Sequence, residues 1–277
     1  MRHLRAAVAL LLFVLFVYVP AAIYMRGLIG WAAVVGTPRH RHRRRAGRWR
    51  ALWNRPIIWL LRYVLGVRLT IRVPPGFNAV TQTRPVIFVA NHRSTLDIFV
   101  INEVARHMGL RDVRWVLKKP LRRRGGIIGR SCNETECAFV QRGHTLDFAE
   151  VERAALTARA DGASLSIFPE GTRFRPHRAR TFQHVLDPRP NGLRHVVEAM
   201  PGYAIASVTL NWDTGAARTI LDNASISGSS LVADVSLHRI RPDQVETWLA
   251  TEWAAKDRRL SSETRQIDQD VQVAQAQ

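Results

Sequence analysis

The sequence predicts an α/β protein: a central mixed sheet flanked by helices, with an N-terminal membrane-embedded helix and an interfacial amphipathic helix. Three observations carry that reading. From Thr70 onward, short apolar runs alternate with stretches of helical length, the rhythm of an α/β sheet. Residues 6–24 hold no charge. The charge is also lopsided: of 41 basic and 22 acidic residues, positions 1–96 hold 16 Arg and no Asp or Glu, so they carry 16 of the 19 net positive charges. A hydrophobic fraction of 47% over 277 residues excludes wholesale disorder and collagen-like structure. Two cysteines are too few for a disulfide framework or a four-cysteine zinc site.

Taken in order, Ala6 to Tyr24 (AAVALLLFVLFVYVPAAIY) is long enough as a helix to cross hydrocarbon, about 28 Å. Pro20 is placed to bend or stop it. Leu28–Val35 follows Arg26, is too short to cross, and reads as a re-entrant or interfacial arm. A cleaved signal sequence would use Arg2, Arg5 and Ala21-Ala22, but the apolar stretch exceeds the usual length for one. A buried core helix is disfavoured because the stretch is apolar all round. Arg39–Arg50 (RHRHRRRAGRWR) then holds seven Arg, with Trp31, Trp49, Trp53 and Trp59 around it. Arginine and tryptophan beside an apolar span suit the cytoplasmic side of a membrane interface, so a phospholipid membrane is the expected partner. The same run would suit nucleic acid by composition, but nucleic acid is not expected here. His40 and His42 lack a third ligand nearby, and no metal site is expected. Leu52–Val67 reads as an amphipathic helix lying on the bilayer.

The globular part offers strands at Val86–Ala90, Val113–Leu117, Ser164–Phe168, Ala204–Leu210 and Val232–His238. Helices are expected at Ile98–Met108, Asp147–Ala160, Gly192–Ala199 and Gln244–Leu260, with Pro242-Asp243 opening the last and Gly162 closing the second. The polar tail after Ser261 reads as disordered. The chain divides into an anchor (1–36), a basic linker with the interfacial helix (37–69), a globular domain (70–260) and the tail (261–277).

Two loops at strand ends carry chemistry. The first strand runs into NHRSTLD, Asn91 to Asp97. There a carboxylate at Asp97 can accept the Nδ1 proton of His92, fix its tautomer, and leave Nε2 to take a proton from an alcohol. The same spacing occurs at His107/Asp112 and His238/Asp243, but only His92 leaves an apolar strand and enters a helix, where function gathers in α/β sheets. The second loop is IFPEGTR, Ile167 to Arg173. Gly171 lets backbone approach a ligand, Arg173 offers a planar fork for phosphate, and Glu170 suits either a hydroxyl or Arg173 as its partner. A solvated turn with a surface ion pair is the bland alternative for this loop.

Together the two loops resemble the glycerolipid acyltransferase family of the 1-acylglycerol-3-phosphate acyltransferase type, with its His-x4-Asp and Phe-Pro-Glu-Gly-Thr-Arg motifs. The family's arginine motif, Gly-x-x-Phe-x-x-Arg, is similar to ECAFVQR, which keeps Phe139 and Arg142 but has Glu136 in place of glycine. Lys118 in VLKKPL resembles the family's lysine after the second strand. His184–Trp212 and Trp248–Leu260 resemble the lysocardiolipin and related lysophospholipid acyltransferase branch, although ASVTL stands where simpler members have Val-Pro-Val.

The resemblance covers roughly residues 55–260 and makes residues 70–260 an acyltransferase domain. It implies acyl transfer from acyl-CoA or acyl-ACP, as co-substrate and not as a bound cofactor, to the free hydroxyl of a lysophospholipid. The expected acceptor is 1-acylglycerol-3-phosphate, giving phosphatidic acid. It further implies His92 as base, Asp97 as its orienter, and Lys118 or backbone near Gly171 facing the oxyanion. Arg142 and Arg173 would hold the phosphate, with Glu170, Gly171 and Thr172 completing the substrate site. A bacterial inner-membrane location with the site on the cytoplasmic face is implied too, where Cys132 and Cys137 would be reduced thiols. The chain holds no G-x-S-x-G nucleophile elbow. The alternatives are a remodelling enzyme for cardiolipin or phosphatidylglycerol type acceptors, and a non-enzymatic anchored binder of anionic lipid or nucleic acid.

Overall fold

The structure is a computed structural model. It describes residues 2–74, 85–141, 146–213 and 223–275, the last stretch from 263 as backbone only. Its described strands are β1 (Arg68–Arg72), β2 (Ile87–Ala90), β3 (Val113–Lys118), β4 (Ala138–Val140), β5 (Ser164–Ile167), β6 (Ile205–Trp212) and β7 (Ser230–His238), forming a single sheet in the order β1-β7-β6-β2-β5-β3-β4. Neighbours are parallel except β6 and β7, so the sheet is mixed as expected. The central strands β2, β5 and β6 are buried along their whole length, and β2 accordingly reads as a continuous apolar run. The alternation in β2 is still visible in the packing. Phe88 and Ala90 enter one core with Val100, Val104 and Trp115, while Ile87 and Val89 enter the other with Ala154, Leu193 and Trp253.

The expected strands stand within two residues of their read boundaries, and β1 and β4 are additional. β1 is the sheet edge, with Arg68, Thr70 and Arg72 exposed, and its polar alternation hid it. β4 has three residues, too few to leave a pattern.

At the N-terminus, helix α1 (Arg2–Leu12), a π-helical turn (Phe13–Tyr18) and helix α2 (Val19–Val34) follow one another without a break. Pro20 therefore neither stops the helix nor splits off Leu28–Val35 as a separate arm. Proline removes one i→i−4 hydrogen bond, and a wide π turn just before it accommodates the loss. Helix α3 (Arg39–Trp59) then runs back, extended by a second π turn (Leu60–Val64) that packs on α1. The basic run is therefore the first half of a helix and not a linker, and it merges with the expected interfacial helix. Arg43 holds Asp161 through Nε at 2.6 Å and Nη2 at 3.0 Å. Arg44 donates to the Asp161 carbonyl, and Arg50 to Thr135 Oγ1 at 2.8 Å and to the Val113 carbonyl. Three of the seven Arg of the run, Arg43, Arg44 and Arg50, thus fasten α3 to the domain. The other four, Arg39, Arg41, Arg45 and Arg48, are exposed.

Between β2 and β5 the described helices are α4 (Asp97–His107), α5 (Leu121–Arg124), α6 (Gly126–Glu134) and α7 (Leu146–Asp161). Behind β6, α8 (Pro190–Ala199) and α10 (Val245–Gln275) close the second core, with the short α9 (Asn223–Ile226) between them in sequence. The last helix continues to Gln275, past the point where the polar tail was expected to lose order. That tail holds five Gln and two Ala and no Gly or Pro, a composition that extends a helix into water at little cost.

Candidate active site

The chain turns from one side of the sheet to the other at β2, whose neighbours are β5 and β6. In open α/β sheets the crevice beyond the strand carboxyl ends at such a switch point is where ligands sit. The loops after β2 and β5 both leave from this edge, because the two strands are parallel.

Within the first loop, His92 Nδ1 lies 2.9 Å from Asp97 Oδ2. A carboxylate only accepts, so Nδ1 carries the proton and Nε2 is the free nitrogen of the neutral ring. The same Oδ2 accepts the backbone N–H of Arg93 and of Ser94, each at 2.7 Å. Oδ1 accepts the Trp212 indole N–H at 3.1 Å. Asp97 is fully buried at the first position of α4, and these donors satisfy both of its oxygens. At the start of the loop, the Asn91 amide pairs with the Leu210 backbone in both directions, at 2.9 and 2.7 Å. One face of the His92 ring stacks on Phe168, with centroids 4.2 Å apart, and Phe168 in turn stacks on Trp115.

The second loop interlocks with the first. The Phe174 N–H donates to the His92 carbonyl at 2.6 Å, and the Arg93 guanidinium lies over the Phe174 ring. Arg173 Nη1 donates to Thr95 Oγ1 at 2.5 Å. Gly171 has φ 64 and closes a turn onto the Phe168 carbonyl at 2.9 Å, a conformation that disfavours a side chain. Thr172 beside it is partly exposed.

Glu170 lies underneath the site. It is 3% exposed, and neither carboxylate oxygen makes a hydrogen bond with a described residue. Burial holds its carboxyl well above the usual range, outweighing the nearby backbone amides of His92 and Leu186 and the Trp253 indole. The structure therefore pairs Arg173 with Thr95, with Glu170 buried beneath. Lys118 is exposed at the carboxyl end of β3, two strands from β2 on the same sheet edge. Arg142 lies outside the described residues. His107 Nδ1 donates to the Glu103 carbonyl within its own helix, and His238 lies near Ser236 and Glu252. Neither is paired with the aspartate five residues on.

An apolar cleft opens next to this site, between the N-terminal hairpin and α4. Phe13, Val17 and Tyr18 wall one side, and Phe99, Trp115 and Leu117 the other. Trp115 joins it to the stacked Phe168–His92 pair. Among the described residues no group of three or more His, Cys, Asp or Glu side chains is arranged to hold a metal ion.

Sequence reasoning places Asn91 and Phe168 in the two loops without a role of their own, and it misses Trp212, which comes to Asp97 across 115 positions of sequence.

The fold and these loops define a class. The Acyltransferase family model matches residues 75–223, more than half of the chain, and the chain belongs to that family. The resemblance read from its two motifs holds. Over 137 residues it is 29% identical to mouse 1-acyl-sn-glycerol-3-phosphate acyltransferase alpha, covering 46% of this chain and 44% of that relative's length. In fold it is similar to the crystal structure of the 1-acyl-sn-glycerophosphate (LPA) acyltransferase PlsC from Thermotoga maritima, with a TM-score of 0.60 at 17% identity over 95% of this chain and 97% of that one.

Proposed function

We propose that this protein is a membrane-bound acyltransferase that moves a fatty acyl group from acyl-CoA or acyl-ACP to 1-acylglycerol-3-phosphate, giving phosphatidic acid. The observation that carries the reading is the 2.9 Å contact between His92 Nδ1 and Asp97 Oδ2, set beside the Phe168–Arg173 loop on one sheet edge. His92 Nε2 takes the acceptor's hydroxyl proton as that oxygen attacks the thioester carbonyl. The tetrahedral adduct collapses, the carbon–sulfur bond breaks, and the departing thiolate receives the proton back from His92. No acyl-enzyme forms. Asp97 holds the tautomer and faces the imidazolium that develops. Lys118 and backbone near Gly171 face the oxyanion. Arg173, with Arg142, binds the acceptor phosphate, and the names of the mouse and Thermotoga proteins support a lysophosphatidate acceptor. The apolar cleft takes the acyl chain.

The N-terminal helix is long and apolar enough to cross a membrane, and it exposes Leu11, Phe16 and Ile23. This supports membrane attachment with the site at the bilayer surface, and we place it at the cytoplasmic face of a bacterial inner membrane. A nucleic-acid role is weakened because Arg43, Arg44 and Arg50 bind the protein itself.

The test is the purified full-length protein with a panel of lysophospholipids and labelled acyl-CoA or acyl-ACP. His92→Ala should lower turnover by about 10²-fold or more, while His107→Ala and His238→Ala keep most activity. An active His92→Ala variant would sink the assignment of the base. Product with a lysocardiolipin or lysophosphatidylglycerol acceptor only would replace the acceptor and leave the chemistry.

A further inference from the structure

We propose that Trp212 is a positioning residue for the acyl transfer: its indole N–H fixes the carboxylate of Asp97 and, through it, the ring of His92. The inference rests on His92 acting as the base. The two oxygens of Asp97 are used unequally. Oδ2 accepts from His92 Nδ1 at 2.9 Å and from the N–H groups of Arg93 and Ser94 at 2.7 Å. Three donors on one oxygen leave the other buried and in need of a partner, since Asp97 is fully buried. Trp212 Nε1 supplies it at 3.1 Å. Without that donor, a carboxylate relieves a bare buried oxygen by turning about its Cβ–Cγ bond to share its donors, or by taking a proton. Either response moves the oxygen that holds Nδ1, and the imidazole turns with it.

Trp212 is itself held in place. It is 3% exposed and ends β6, where it pairs with Leu231 of the antiparallel β7. Two residues earlier on the same strand, Leu210 exchanges two hydrogen bonds with the Asn91 side chain. The end of β6 therefore grips the catalytic loop at both ends, Asn91 before the histidine and Asp97 after it. An indole suits this place because it donates one hydrogen bond and accepts none, so it cannot compete with the carboxylate for protons.

The experiment compares Trp212→Phe, which keeps an aromatic ring and loses the donor, with Trp212→His, which keeps a ring N–H. His92→Ala is assayed alongside on the same full-length protein. The readouts are kcat and KM for both substrates, the melting temperature, and the downfield proton resonance of the His92–Asp97 hydrogen bond. Trp212→Phe should lower kcat about 10- to 100-fold, leave both KM values within about twofold, and shift or broaden the downfield proton. Trp212→His should recover part of the loss. Wild-type kcat and an unmoved resonance in Trp212→Phe would overturn the inference. So would a folded Trp212→His variant no better than Trp212→Phe, which also decides the matter if the Phe variant melts early. A dead His92→Ala beside a fully active Trp212→Phe overturns the role of Trp212 alone, whereas an active His92→Ala overturns the reading beneath it.

Discussion

At Glu170 the cost of burying a carboxylate falls on its ionised form, so the folded chain keeps that proton to a higher pH than the unfolded chain does. Between the ordinary value of 4.5 and the raised folded value, the unfolded state has lost the proton while the folded state still holds it, and stability falls as pH rises. Glu170→Gln removes this titration. In denaturation series, the variant should gain on the wild type as pH is raised from 4.5. Parallel profiles for the two proteins would mean that Glu170 is ionised in the fold. The residue scale also shows what the sequence could reveal. His92 and Asp97 share one short loop, so their spacing is readable and three candidate pairs can be ranked by the strand preceding each. The partner of Arg173 is not readable, because Thr95 sits in a different loop 78 positions away. Glu170 is equally opaque, since a PEGTR turn reads as solvated until the helix carrying Trp253 is seen to cover it.

The seam between α3 and the domain turns on Glu136. Its φ of 53° lies in the left-handed region, which costs a side-chain-bearing residue about 1 kcal/mol, and this is the position where the motif resembled by ECAFVQR has glycine. What the side chain does there is join two helices. It accepts from Arg43 of α3 at 3.1 Å and from Arg153 of α7 at 3.2 Å. Glu136→Gly loses both contacts and relieves the backbone, whereas Glu136→Ala loses both and keeps the strain. Urea denaturation should therefore rank the Gly variant above the Ala variant by about 1 kcal/mol, and the reverse order would remove strain from the account. Among elements, the buried strands are legible because both faces are covered, so that apolar residues dominate and the interspersed polar ones are mostly small, such as Ser164, Ser166, Ser207 and Thr209. The course of the basic run is not. Arginine periodicity on a helix looks the same whether its partners are lipid phosphates or carboxylates such as Asp161, and only the tertiary fold distinguishes them.

For the molecule as a whole, the N-terminal hairpin is part of the catalytic body. Phe13, Val17, Tyr18 and Ala21 form one wall of the cleft, and Met25 packs with Trp49 of α3. A chain begun near Arg39 would open that cleft and bare Trp49, which is 6% exposed in the intact protein. Such a truncated protein should require detergent to stay monodisperse in size-exclusion chromatography. It should also lose its preference between long and short acyl donors in competition assays. A truncated protein that remained monodisperse without detergent and kept its chain-length preference would show that the hairpin is only an anchor.

The edge strand β1 is made early and finished late. Its sheet neighbour among the described strands is β7, and Arg68 meets Ser230 across 162 positions of sequence. On a ribosome adding about 5–20 residues per second, that strand waits roughly ten to thirty seconds for its partner. Its exposed Arg68 and Arg72 guard it against pairing with other nascent chains in the interval. A message cut short before the codon for Ser230 yields a polypeptide whose first strand never finds its neighbour and keeps an edge open to pairing with other chains.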